Sequence, residues 1–107
     1  MHLSPDERRL ASLGLSRRAR IDLLDIAEYG AEIWGPEAAD RFVASFDGTF
    51  VMLSRHPDIG CPRDEFGPDV RSWTRRSYIV YYERGANIFE IRRILHAAAD
   101  PILDGDG

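Results

Sequence analysis

The sequence contains no lysine and a single cysteine, Cys61. One thiol cannot close an intramolecular disulfide, so the stability of the chain rests on packing and hydrogen bonding. No apolar run approaches the roughly 20 residues needed to cross a bilayer. The opening MHLSPDERRL lacks the apolar stretch of a secretion signal, and these absences together point to the cytoplasm. Neither GxGxxG nor GxxxxGK(S/T) occurs, which argues against a nucleotide-driven activity. A surplus of positive charge is also missing. The formal net charge is −4, so the chain as a whole is not an electrostatic binder of nucleic acid.

What is present fits one globular domain over residues 1–107, with 44% hydrophobic residues. All 14 basic residues are arginines, which favour planar, bidentate recognition of carboxylate or phosphate. They are unevenly spread. Arg71 to His96 holds six arginines against Glu83 and Glu90, whereas Met1 to Val70 holds eight against 13 acids. The stretch from Ala97 onward adds three aspartates and no base. The sequence therefore reads as a basic patch on an acidic body.

Hydrophobic spacing predicts the elements. Arg8 to Leu15 is a short, weakly patterned first strand. Ser16 is a helix N-cap. Leu23, Ile26, Ala27, Gly30, Ile33 and Trp34 recur at three- and four-residue intervals after it, which predicts an amphipathic helix. Gly35 suits a left-handed stop and Pro36 the first position of a second helix, predicted over 36–55. Ala39, Phe42, Val43, Phe46, Phe50 and Leu53 form its apolar stripe. Residues 56–69 carry three prolines and two glycines and read as a loop. VRSWTRR, SYIVYYER and IFEIRRILH then read as three strands, the last two joined by Gly85-Ala86-Asn87. The order β-α-α-β-β-β predicts an α+β fold, with a helical hairpin on one face of a twisted antiparallel sheet. The other sheet face is expected to present a partly exposed aromatic surface.

Chemistry-bearing residues are few. His56, Cys61 and His96 lack the repeated spacing of a zinc site, and no cofactor or metal is expected. Asp22, Asp25, Glu28 and Glu32 sit at helical spacing and read as a solvated face. Simple alternation places Arg93 beside Phe89, Ile91 and Leu95. An arginine among apolar groups needs an internal acid such as Glu83 or Asp100, or an external ligand.

Three stretches in this order resemble the ParE branch of the RelE/ParE toxins. The first is LSRRARIDLLDIAEYGAEIWG, through Asp22, Leu23, Ile26, Tyr29, Trp34 and Gly35. The second is RHPDIGCPRDEFGPDVRSW, through Pro57, Gly60, Arg63, Val70, Arg71 and Ser72. The third is YIVYYERGANIFEIRRILHAAADP, through Arg93, Ile94, Leu95 and His96. The resemblance covers residues 15–101. It implies the toxic component of a toxin–antitoxin system, acting in the cytoplasm by binding DNA gyrase or a gyrase–DNA complex, without catalytic chemistry. It also implies a cognate ParD-like antitoxin, held in a hetero-oligomer. The expected target contacts are Arg71, Trp73, Arg93 and His96. The expected antitoxin contacts are Leu23, Ile26, Tyr29, Trp34, Tyr78 and Tyr82. The RelE branch instead cleaves mRNA on the ribosome. Such a site would draw on Arg63, Arg71, Arg93 and His96, but the tail AAADPILDGDG has no tyrosine, lysine or arginine to complete it. A member that keeps the fold and has lost toxicity is a third reading.

Overall fold

A computed structural model describes residues 13–98. The first element is strand β1, Leu13–Leu15; the earlier part of the predicted strand, residues 8–12, lies outside the described residues. Ser16 then caps helix α1, Arg17–Trp34, by accepting the Ala19 N–H at 3.0 Å. The same hydroxyl donates to the carbonyl of Arg92 at 2.8 Å. One side chain thus starts the helix and ties its origin to the far end of the chain. Gly35, at φ 93°, makes the left-handed turn, and Pro36 opens helix α2, Pro36–Arg55.

The predicted loop contains more structure than its composition suggested. Cys61–Pro62 forms a two-residue strand, β2, followed by a single 3-10 turn at Asp64–Phe66. The remaining strands are β3, Val70–Arg75; β4, Tyr78–Arg84; and β5, Phe89–His96. The sheet order is β1-β5-β4-β3-β2. The fold is α+β, and the sheet is mixed, because β1 runs parallel to β5 while every other pair is antiparallel.

The core lies between α1–α2 and the sheet. Phe46, Leu53, Val80, Tyr82 and Ile91 are fully buried there, with Ala19, Phe50, Phe89 and Ile94 around them. Along α2, Phe42 meets Phe46 edge-on and Phe46 stacks on Phe50, and Tyr78 of β4 meets the first two rings at 5.9 and 6.1 Å. Such aromatic contacts add to the area each ring removes from water.

Two expectations about the sheet are corrected. Opposite β4, Tyr81 pairs with Arg93 but Tyr82 pairs with Ile91, so β5 carries one extra residue at Arg92. This bulge shifts the alternation. Ile94, not Arg93, follows Phe89 and Ile91 into the core. The second correction concerns the face away from the helices. Tyr81 on that side is only 3% exposed, because Phe66 of the 3-10 turn meets its ring edge-on at 5.9 Å. Arg63 donates to the Ser72 hydroxyl at 2.8 Å, and Ser72 too is buried. The loop therefore covers part of the flank that was expected to be open.

Candidate functional site

The sequence-predicted site residues fall into three structural roles. The first group is internal. Asp22 is 7% exposed and takes no part in the solvated helix face assigned to it, whereas Asp25, Glu28 and Glu32 do face solvent. Its carboxylate accepts from Arg93 Nε at 2.8 Å, from Arg93 Nη2 at 3.1 Å and from the backbone N–H of Ile94 at 2.9 Å. β1 stops opposite Ile91, so the later part of β5 would otherwise be a bare strand edge. Asp22 satisfies that edge and the guanidinium together, and this burial is what turns an acid on a helix into an internal one. Arg93 is consequently a positioning residue between α1 and β5, not a free target contact. Ile26 and Tyr82, expected as antitoxin contacts, are likewise buried, at 7% and 0% exposure. The Tyr82 hydroxyl donates to the Pro57 carbonyl at 2.7 Å and accepts the Gly60 N–H at 2.9 Å. Burial raises the Tyr82 pKa above its ordinary value, partly offset by the Gly60 N–H and Arg71.

The second group pins the loop. Arg71 donates to the carbonyls of Gly60 at 2.7 Å and Asp58 at 3.2 Å. Arg63 is held by Ser72, and Trp73 packs against the core. Arg92, released by the bulge, pairs with Glu83 and Glu90. The four residues an RNA-cleaving centre was expected to draw on thus have separate partners. Arg63 and Arg71 serve the loop, Arg93 serves the helix, and exposed His96 meets Tyr78 ring to ring at 5.5 Å while its Nδ1 accepts the Ala98 N–H at 3.2 Å. Among the described residues no group of three His, Cys, Asp or Glu side chains could hold a metal ion.

The third group is open. α1 presents Leu24 at 64%, Tyr29 at 58%, and Ile33 and Trp34 at 52% exposure. Beside Leu24 a groove of about 490 Å³ runs between the helices, with Leu23, Ala27, Val43 and Ala44 as its walls and Arg20 and Asp40 at its margins. The helical period explains it. Ile26 is buried in the core and Gly30 lies against Ala39 of α2, so Leu23, Leu24 and Ala27 fall on the outward side with Val43 of α2. In the sequence the apolar positions of α1 form a stripe too wide for one buried face, and Leu24 widens it further. At the other end of the hairpin, Trp34, Phe42 and Tyr78 line a second groove of about 450 Å³, flanked by Arg41 and Arg76. Burial and the nearby Tyr29 raise the pKa of Tyr78 above its ordinary value. No helix among the described residues is long and apolar enough to cross a membrane.

Comparison with known proteins agrees with this arrangement. The model of the family described as "ParE toxin of type II toxin-antitoxin system, parDE" matches residues 13–101. "Toxin ParE1" of Caulobacter vibrioides is 37% identical over 82 residues, covering 77% of this chain and 84% of that protein. "Toxin ParE1" of Mycobacterium tuberculosis is 25% identical over 87 residues, covering 80% and 89%. A solved structure titled "Chromosomal ParDE TA system from P. aeruginosa" superposes with a TM-score of 0.70 at 25% identity, covering 79% of this chain and 94% of that one. Since the family match spans all the described elements, from β1 to the end of β5, this chain belongs to the ParE toxin family of type II toxin–antitoxin systems.

Proposed function

We propose that the chain is a cytoplasmic toxin that inhibits DNA gyrase by binding it, and that a cognate ParD-like antitoxin neutralises it by covering the apolar groove between α1 and α2. The observation that carries the antitoxin half is the groove itself. Leu23, Leu24, Ala27, Val43 and Ala44 form an apolar channel between two helices, the shape that receives the apolar face of a third helix. An exposed apolar surface of this kind on a small protein usually has a partner. The partner's amphipathic segment would be ordered on contact, with Arg20 and Asp40 at the rim selecting its charges.

The target half is supported by the separate engagements of Arg63, Arg71 and Arg93 within the fold, with Ser72, Gly60 and Asp22, which occupy groups that proton transfer and phosphate clamping would draw on. Inhibition by binding needs neither. His96 is the most open of the four proposed target contacts, and Arg71 and Trp73 are half-buried. A supercoiling assay tests the reading. The purified chain is expected to stop gyrase from supercoiling relaxed plasmid, and equimolar antitoxin is expected to restore it. Normal supercoiling in the presence of excess chain, with discrete cuts in cellular mRNA upon induction, would replace this reading with ribosome-dependent cleavage.

A further inference from the structure

The Trp34 groove differs in kind from the channel between the helices. Its floor is aromatic, with Phe42 meeting the ring of Trp34 edge-on at 5.6 Å and that of Tyr78 at 5.9 Å. Its lining holds Arg41 and Arg76 and no carboxylate. The α1–α2 channel, in contrast, sets Asp40 beside Arg20, and the groove beside β1 sets Asp47 beside Arg20. Most of the basic stretch of the sequence is neutralised by pairing. Of its six arginines, Arg71, Arg84, Arg92 and Arg93 pair with acids. Arg75 and Arg76 have no ion-pair partner among the described residues, and neither has Arg41.

The unpaired charges gather at this end of the helical hairpin. The Arg75 guanidinium lies 5.8 Å from the centre of the Phe42 ring and donates to the Ser45 hydroxyl at 2.8 Å, which adds a third cation to the groove's floor. Arg76 stands in the tight turn between β3 and β4 at φ 56°, the one residue other than glycine with a positive φ among the described residues. Glycine takes that conformation freely and arginine takes it at a cost. A strained, unpaired arginine beside a tryptophan 52% exposed points to binding rather than to folding. Flat rings with cations at their margin complement a chain that alternates planar apolar groups with phosphates. A base stacks on an aromatic face whatever its identity, and a guanidinium holds two phosphate oxygens at once. An acidic peptide supplies the charge without the repeating rings. The volume of about 450 Å³ is in the range of small-ligand sites.

We propose that this groove binds single-stranded DNA, with a base stacked on Trp34 and the flanking phosphates held by Arg41 and Arg76. The choice of DNA rests on the proposed gyrase–DNA target. The groove is then the part of the chain that touches the nucleic acid, while the α1–α2 channel serves the antitoxin. The net charge of −4 opposes long-range attraction, so recognition depends on these local groups and weakens as salt screens them.

Anisotropy of a fluorescein-labelled oligothymidylate, titrated with the full-length chain at low salt, tests the contact. The assay contains no gyrase. A chain that binds the oligonucleotide yet leaves supercoiling normal keeps this proposal and loses the gyrase reading, and the reverse result does the opposite. Trp34→Ala is expected to weaken binding at least about tenfold, and Trp34→Phe to retain most of it, since phenylalanine keeps an aromatic face. Arg41→Gln/Arg76→Gln is expected to weaken it similarly and to make the dependence of log K on log salt shallower by about 1.4, the share of two phosphate contacts. Arg76→Gly separates binding from folding: with the strained turn relieved, the melting temperature is expected not to fall while affinity does. Absence of binding, affinity unmoved by Trp34→Ala or by the arginine pair, or tighter binding of the matching duplex overturns the proposal. Oligouridylate bound at least about tenfold more tightly than oligothymidylate assigns the groove to RNA. A peptide rich in Asp and Leu that binds more tightly than the oligonucleotide and is lost in Trp34→Ala assigns it to a protein. Either result overturns the proposal equally.

Discussion

Asp22 and Arg93, 71 residues apart in sequence, meet through two hydrogen bonds inside the protein, with side chains only 8% and 13% exposed. The same carboxylate accepts the Ile94 N–H, so one aspartate joins α1 to both the backbone and a side chain of β5. Removing one partner takes this bidentate contact from a site largely shielded from water. Asp22→Asn or Arg93→Met is expected to destabilise the fold by about 3 kcal/mol, and Asp22→Leu/Arg93→Met by less than either single change. Urea unfolding of the three variants checks both the size and the order. Additive losses would show that the pair is not coupled.

Gly60 and Tyr82 give a second expectation. A Cβ on Gly60 would stand 2.3 Å from the Tyr82 hydroxyl and 2.8 Å from the Ser72 carbonyl, so Gly60→Ala must push the loop off the sheet. Tyr82→Phe removes the hydroxyl's bonds to Pro57 and Gly60 and is expected to cost about 1–3 kcal/mol. The two together are expected to cost less than their sum, since phenylalanine lacks the atom nearest the new methyl group. Thermal unfolding measures all three.

The raised pKa values of Tyr78 and Tyr82 set the alkaline limit. Burial disfavours both phenolates, so the folded chain holds these protons to higher pH than the unfolded chain, whose value is 10.0. Below that value both states are protonated and stability is independent of these groups. Above it the unfolded chain releases its protons first, and stability falls as pH climbs through the folded values. Circular dichroism should record unfolding on the alkaline side of pH 10.0, with a shallower pH dependence in Tyr82→Phe.

Leu24 separates docking from folding. It is 64% exposed and borders the α1–α2 channel. Leu24→Glu is expected to change stability by no more than about 0.5 kcal/mol. In contrast, affinity for the antitoxin should fall at least about tenfold, or 1.4 kcal/mol. Calorimetric titration beside a melting curve tests the pair of statements. Unaltered affinity would move the antitoxin to another surface.

Much of the fold was legible because its signals are local. The Ser16 cap, the Gly35-Pro36 turn and the ends of α2 follow from capping and φ preferences that act over a few residues. The strands β3 to β5 follow from β-branched and aromatic density. What sequence spacing could not reveal depends on partners distant in the chain. Asp22 looks like its solvated neighbours Asp25 and Glu28 until β5 is seen to run on past the end of β1 beside it. The bulge at Arg92 reversed the inferred direction of Arg93, because alternation assumes an unbroken strand. β2 escaped notice since two residues, one a proline, carry no periodicity, and Phe66 was hidden in a segment read only for its turns.

The parallel pairing of β1 with β5 has a consequence for synthesis. Leu13–Leu15 finds its hydrogen-bonding partner at Phe89–Ile91, and the Ser16 N–H donates to the Ile91 carbonyl at 2.9 Å. On the ribosome the earliest strand must wait for the latest one to leave the exit tunnel. A helical hairpin can form on the nascent chain, but its sheet cannot close until translation of this region is all but finished. Truncated products of the gene therefore lack the assembled surface, and the interval before closure gives an antitoxin time to meet the exposed helices first.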